Sequence, residues 1–219
     1  MKTVIVTGAS SGIGKEIASE LCDDYRIINI SRTESMFENI TGDFANRLFV
    51  RDLIDKVAEK LGEDEIYYLI NNAGFMPLEE ENIKIYDAVM DVNLRVPYLL
   101  SLNLAPQITG GIINIASVSG VQSIMDDENI GYGISKGGLI LMTKYFAKKF
   151  PKLSINSISP GFIEPTNLAP GDTPQFLIDM VPMKREGNVK EIGKLVRYLI
   201  DEGKYITGQN IVIDGGLTL

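Results

Sequence analysis

The 219-residue sequence contains no histidine and one cysteine, Cys22. The first absence removes the side chain that most often carries acid–base chemistry near neutral pH, so any proton transfer must use another group. The second excludes an internal disulfide and any multi-cysteine zinc site, and it suits a reducing cytoplasm. A metal would need mainly oxygen ligands, and none is expected. No apolar run reaches the roughly 18 residues of a membrane span. The opening MKTVIVTG has only a short strand-like run after its lysine, unlike a secretory leader. Basic residues are in deficit, 21 against 29 acidic, for a net charge of −8. Nucleic acids and anionic membranes call for a basic face, so neither is expected as a partner. Solubility is the plainer meaning of that charge. The apolar share of 45% and charged share of 23% are ordinary globular values. One domain spanning residues 1–219 is expected, with no repeat and no disordered tail.

Short β-rich runs alternate with longer stretches of helical period. TVIVT (3–7), IINI (27–30), IYYLI (66–70), GIINI (111–115), SINSIS (154–159) and QNIVI (209–213) read as strands. The first is continuously apolar, the mark of a strand covered on both faces. Helices are expected over 13–21, 48–61, 83–105, 132–150 and 189–200, with Pro97 kinking the third. This alternation predicts βαβ units and a parallel sheet wrapped by helices on both faces, an α/β architecture. The segment 162–186 is the least regular and reads as a surface loop or a flap over a site.

The stretch TGASSGIG follows the first strand and opens the first helix, with Gly8, Gly12 and Gly14 spaced G-x-x-x-G-x-G. Such glycines make a tight turn, admit a pyrophosphate close to the backbone, and let the helix pack on the sheet. The helix N-terminus then offers free N–H groups to phosphate. NAD-binding sites place an acid near the end of the second strand. Here Ser31 is neutral, and Arg32 follows it. An arginine can pair with a 2′-phosphate through its planar fork, so NADP(H) is expected over NAD(H). Asp43 reads either as an acceptor from the adenine amino group or as the N-cap of the next helix.

Together these motifs resemble the short-chain dehydrogenase/reductase family of the single-domain type. The resemblance covers nearly the whole chain. It rests on TGASSGIG (7–14), NNAG (71–74), Asn93 in DVNL, Ser117 in NIASVSG, Tyr132-x-x-x-Lys136, PGFIEPT (160–166) and ITGQNIVIDGG (206–216). It implies a Rossmann-like, doubly wound, seven-stranded parallel sheet. It also implies an oxidoreductase acting between CH–OH and C=O. Gly8, Ser10, Ser11, Gly12, Ile13 and Gly14 would lie against the cofactor, as would Asn71, Ala73 and Gly74. Pro160, Gly161, Ile163 and Thr166 would join them, although Pro165 displaces the usual threonine. Family members are usually dimers or tetramers.

Hydride transfer to a carbonyl needs a proton for the developing alkoxide. Tyr132 is the expected donor, and Lys136, one turn on, is expected to lower its pKa from about 10. By resemblance Lys136 also holds the nicotinamide ribose, and Asn93 holds a water relaying protons to it. Ser117, just past the fifth strand, would hold the substrate oxygen. Asp126, Asp127 and Glu128 lie between Ser117 and Tyr132, and no basic residue occurs from Val96 to Ser135. If those acids face the site they disfavour an anionic substrate, and Met125 would add apolar wall. A small neutral carbonyl or alcohol is expected. A 3-oxoacyl-carrier-protein-type reductase and a cofactor-binding regulator without turnover are the alternatives. The apolar circumference of the helix after Tyr132 (Leu139, Ile140, Leu141, Met142, Tyr145, Phe146) predicts a subunit interface, hence a homodimer or homotetramer.

Overall fold

The β-branched runs form strands whose residues are almost all buried, as expected of a sheet covered on both faces. The computed structural model describes residues 1–77, 82–123, 130–166 and 173–219. Along the chain run β1 (Lys2–Thr7), α1 (Gly12–Leu21), β2 (Arg26–Ser31), β3 (Glu38–Thr41), α2 (Arg47–Arg51), α3 (Leu53–Leu61) and β4 (Glu65–Asn71). Next come α4 (Ile83–Met90), a π-helical turn (Asp91–Arg95), α5 (Val96–Leu104), β5 (Ile108–Ile115), α6 (Ile130–Lys149) and β6 (Ser154–Pro160). The chain continues through β7 (Ile163–Glu164), α7 (Gln175–Met180), β8 (Gly187–Asn188), α8 (Val189–Asp201) and β9 (Asn210–Ile213).

The main sheet has seven parallel strands in the order β3-β2-β1-β4-β5-β6-β9. It is the Rossmann-like doubly wound α/β sheet that the motifs implied. Strand order reverses between β1 and β4, which opens a crevice beyond their carboxyl ends where ligands bind in such sheets. Residues of α3, α5 and α6 pack on one face with Ile5, Ile28 and Ile112. Residues of α1 and α8 pack on the other with Val6, Ile70 and Ile113. Asn188 and Glu191 start α8 with a reciprocal capping box.

Three sequence expectations change. The short β3 has no apolar run to announce it; Ile40 alone is buried there, and its pairing with β2 creates the strand. The helix expected over 48–61 is two pieces meeting at Asp52, and Asn46 rather than Asp43 caps the first. The break expected at Pro97 lies one turn earlier. Pro97 has no N–H, and its ring crowds the carbonyl of residue 93. The chain widens there, with the Val96 N–H bonded to the Asp91 carbonyl, and the resulting π-helical turn carries Asn93. Met125, Asp126, Asp127, Glu128 and residues 167–172 lie outside the described residues.

Candidate active site

The glycine turn sits at the strand-order reversal. Gly8 has φ +74°, a conformation that favours glycine, and its N–H bonds the Ile30 carbonyl at 2.9 Å. A Cβ at Gly14 would collide with the Gly8 carbonyl and the Asn72 amide, so only glycine admits this packing. Ser11 is the N-cap of α1 but makes no side-chain cap bond, and the first turn carries no acid. Its N–H groups are therefore available to an anion, beside the half-buried Ser10, Gly12 and Ile13. Thr7 Oγ1 accepts from the N–H groups of Asn72 and Ala73, both at 2.9 Å, tying the ends of β1 and β4 together.

The tandem asparagines divide their work. As the last residue of β4, Asn71 points into the core and donates to Ser101 Oγ (3.1 Å) and Asn114 Oδ1 (2.8 Å). Its side chain does not reach the crevice. Asn72 does, donating to the carbonyls of Thr7 (2.9 Å) and Gly8 (3.3 Å). Ser31, which stands where NAD-binding sites place an acid, is buried, and its hydroxyl is engaged internally. It accepts from Asn29 Nδ2 and donates to the Thr33 carbonyl. Arg32 is exposed. Arg26, Arg47, Arg51, Arg95, Arg185 and Arg197 each pair with a carboxylate, whereas Arg32 pairs with none among the described residues. Asp43 Oδ1 accepts from the Ala45 N–H, a local turn bond.

At the other end of the crevice, α6 begins at Ile130 and brings Tyr132 and Lys136 inward on one face, 6% and 3% exposed. Tyr132 is hydrogen-bonded to Ser117, whose Oγ also accepts from the Ser119 N–H. Lys136 Nζ donates to the Ile115 carbonyl at 2.9 Å and lies 5.7 Å from the Tyr132 ring centroid. Asn93 is fully buried and bonded at both ends: Oδ1 accepts from the Phe75 N–H (2.7 Å), and Nδ2 donates to the Phe75 carbonyl and Ser135 Oγ. A Cβ at Gly74 would stand 3.5 Å from Lys136 Nζ and 3.8 Å from Asn93 Oδ1. Gly74 thus lies beside both side chains. At the end of β6, Pro160 and Gly161 border the same edge, and the Gly161 N–H bonds the Ile213 carbonyl. Ile163 is in β7, and Thr166 follows a cis Glu164–Pro165 bond.

A family model described as "Enoyl-(Acyl carrier protein) reductase" matches residues 8–218. The chain belongs to the short-chain dehydrogenase/reductase family. This is an oxidoreductase family acting between CH–OH and C=O. The chain is 31% identical to the 3-oxoacyl-acyl-carrier-protein reductase FabG of Thermotoga maritima, over 100% of this chain and 98% of that protein. It is 32% identical to 4-hydroxyisoleucine dehydrogenase complexed with NADH, with a TM-score of 0.85 over 100% and 99% of the two chains. A blue fluorescent protein from a metagenomic library, in complex with NADPH, matches at 26% identity with a TM-score of 0.88, over 100% and 98%.

Within this short-chain dehydrogenase fold the electrostatics of the Tyr–Lys pair differ from the sequence expectation. Burial pushes the Tyr132 hydroxyl up to about 12, and the hydrogen bond with Ser117 draws it back only in part. Burial lowers the Lys136 ammonium to about 8. Spacing alone implied that a lysine charge would lower the tyrosine. In the folded chain both groups lose water together, and desolvation disfavours the charged form of each. The site is therefore neutral-leaning: a phenol that holds its proton beside an amine that exchanges one near neutral pH.

Sequence reasoning missed Thr7, Asn29, Asn72 and Ser135. Thr7, Asn72 and Ser135 fall inside the motifs, but motif spacing does not say which way a side chain points. Asn29 lies in a strand that reads as continuous core.

Proposed function

We propose that this protein is an NADP(H)-dependent oxidoreductase that moves a hydride between the nicotinamide and a small neutral carbonyl or alcohol. The observation that carries this reading is the grouping of half-buried Ser117 with buried Tyr132, Lys136 and Asn93 at the same sheet edge as the glycine turn. The crevice suits a dinucleotide: Gly8 and Gly14 let the turn pack tightly against Asn72 and Ala73, the α1 N-terminus would offer its N–H groups to a pyrophosphate, and Arg32 has no carboxylate partner among the described residues. When bound, the nicotinamide supplies or accepts the hydride. The chain's own residues manage the oxygen and the proton. Ser117 holds the substrate oxygen, and Tyr132 Oη gives its proton to the alkoxide as charge develops there. A phenol near 12 stays protonated at neutral pH yet is far more acidic than an alkoxide's conjugate acid, so the transfer runs downhill. Lys136, near 8, is suited to pass a proton back. By the family resemblance Asn93, which is bonded to Phe75 and Ser135, would also hold a water relaying protons to Lys136.

The solved relatives carry NADH in one case and NADPH in another. The coenzyme preference therefore rests on this chain's own residues, a neutral Ser31 and an Arg32 with no carboxylate partner among the described residues. The FabG relatives favour a second reading, a reductase of 3-oxoacyl groups presented on an acidic carrier protein. Rates with NADPH and NADH, followed at the nicotinamide absorbance against simple ketones, aldehydes, sugars and a 3-oxoacyl-carrier thioester, decide among these. Turnover of simple carbonyls with NADPH is expected. Turnover of the carrier thioester alone would select the second reading, and no turnover with any partner would leave a cofactor-binding regulator.

A homodimer or homotetramer is proposed from the groove of about 530 Å³ between α5 and α6, lined by Leu94, Tyr98, Leu141, Met142, Tyr145 and Phe146. Leu141 is 54% and Tyr145 67% exposed, large apolar surfaces that a second copy of the same helices would cover. Light scattering returning a monomer would remove this proposal. Among the described residues no helix is long and apolar enough to cross a membrane. Action in the cytoplasm is proposed with the rest.

A further inference from the structure

Arg32 stands on the connection between β2 and β3, and what gives that connection its shape is unusual. No backbone-to-backbone loop bond ties residues 32–36. Side chains do the work, and they converge on two asparagines. Asn29 on β2 and Asn39 on β3 are register partners in the parallel pair, so their amides lie side by side on one face of the sheet. Asn29 Nδ2 donates to Asn39 Oδ1 at 2.8 Å. Asn39 Oδ1 also accepts from the N–H and the hydroxyl of Ser35, both at 2.9 Å. Asn39 Nδ2 donates to the carbonyls of Ser35 (3.1 Å) and Phe37 (2.6 Å).

The same pair reaches back to the glycine turn. Asn29 Oδ1 accepts from the Ala9 N–H at 2.8 Å, and its Nδ2 also donates to Ser31 Oγ at 2.9 Å. Asn29 is fully buried, where unmade amide bonds are costly, so its orientation is fully determined by these partners. One polar node thus spans from the turn that would meet the pyrophosphate to the loop that presents Arg32. It holds the two at a constant separation.

We infer that Asn39 is a positioning residue for coenzyme choice: bonded to Ser35 and Phe37 itself and to the Asn29 that holds Ser31, it fixes the connection so that the Arg32 guanidinium meets a 2′-phosphate. This rests on the reading of Arg32 given above. A mobile exposed arginine would gain little from pairing with a solvated phosphate, because ordering its side chain offsets the attraction. Held in place, it contributes a directed two-point contact. Asn39 is only partly buried, on the edge strand β3, so water can reach the loop carbonyls if its amide is removed. The strand survives such a change while the loop loses its shape.

The test measures KM for NADPH and for NADH in Asn39→Ala, Arg32→Ala and the double variant. Asn39→Ala is expected to raise KM for NADPH by about tenfold, in line with the cost of misplacing a binding group. KM for NADH should stay within about twofold, and Arg32→Ala should abolish any further effect of Asn39→Ala. Equal rises for both coenzymes would mean general damage and overturn the inference. Additive effects in the double variant would also overturn it, since Asn39 would then act elsewhere. If Arg32→Ala shifts the NADPH/NADH ratio but Asn39→Ala does not, this inference alone fails. If Arg32→Ala leaves the ratio unchanged, the 2′-phosphate reading fails and takes the inference with it. Should Asn39→Ala not fold, Ser35→Ala removes a half-buried hydroxyl that donates to Asn39 Oδ1 and accepts from the Phe37 N–H. It should raise KM for NADPH selectively, and an unselective effect or none would overturn the inference.

Discussion

The two ends of the crevice use their charged groups in opposite ways. At the Tyr132 end the titratable groups are buried, and their pKa values are moved in opposite directions by loss of water. At the Arg32 end the charged group is in solvent and the buried groups are neutral amides. Chemistry near neutral pH needs a proton whose affinity is tuned, and burial is the strongest way to tune it. On the proposed reading, recognition of a phosphate needs only a positive charge, which a solvated Arg32 guanidinium would supply without desolvation cost. The protein thus accepts an electrostatic penalty at one end and avoids it at the other.

That contrast can be broken most sharply at Tyr132. Tyr132→Phe keeps the ring and removes the proton donor, so turnover should fall by about 10³-fold. Coenzyme affinity by fluorescence titration should be unchanged, and wild-type-like turnover would remove Tyr132 from the acid role.

The pH dependence of the same cluster comes next. Carbonyl reduction should be level below about pH 8 and decline above it as Lys136 loses its proton. Alcohol oxidation should instead rise with pH toward about 12, because the Tyr132 phenolate is its proposed base. Lys136 also carries a stability consequence. Its folded value near 8 lies below the 10.5 of a free lysine. The unfolded chain therefore binds that proton more tightly, and the folded state is weakened in full below about pH 8. The penalty fades as pH rises from about 8 to about 10.5. Lys136→Met removes it, so the variant's stability relative to wild type should be greater at pH 7 than at pH 10 by about 2 to 3 kcal/mol. Urea titrations at the two pH values read this directly, and a pH-independent difference would contradict it.

Asn72→Ala sharpens the comparison from the middle of the crevice. Its amide supports the glycine turn common to both coenzymes. Loss of about 1 kcal/mol should raise KM for NADPH and NADH alike by about fivefold, in contrast to the selective effect expected at Asn39. The smallest effect is expected at Asn46. Its side chain caps α2 from an exposed position, and Asn46→Ala should cost about 1 kcal/mol in thermal unfolding with kinetics unaltered.

Much of this molecule was legible before folding was considered. The order of strands and helices followed from runs of β-branched residues and from helical spacing. The place of the glycine turn and the Tyr132–Lys136 spacing were local facts of the chain. Other features were not legible, each for a stated cause. β3 is too short and polar to announce itself, and its partner strand makes it. Asn71 and Asn72 are adjacent and identical in type, yet strand alternation turns the first into the core and leaves the second at the crevice.

The sequence by itself determined the α/β class and the family, because these depend on residue type, period and spacing along the chain. Tertiary structure alone decided the state and aim of the groups at the site. Which helices cover Tyr132 and Lys136 sets how much water they lose, and so the direction of each pKa. Which strands lie side by side sets that Asn29 meets Asn39. Desolvation and register are properties of what surrounds a residue in space, and a linear spacing carries no measure of either.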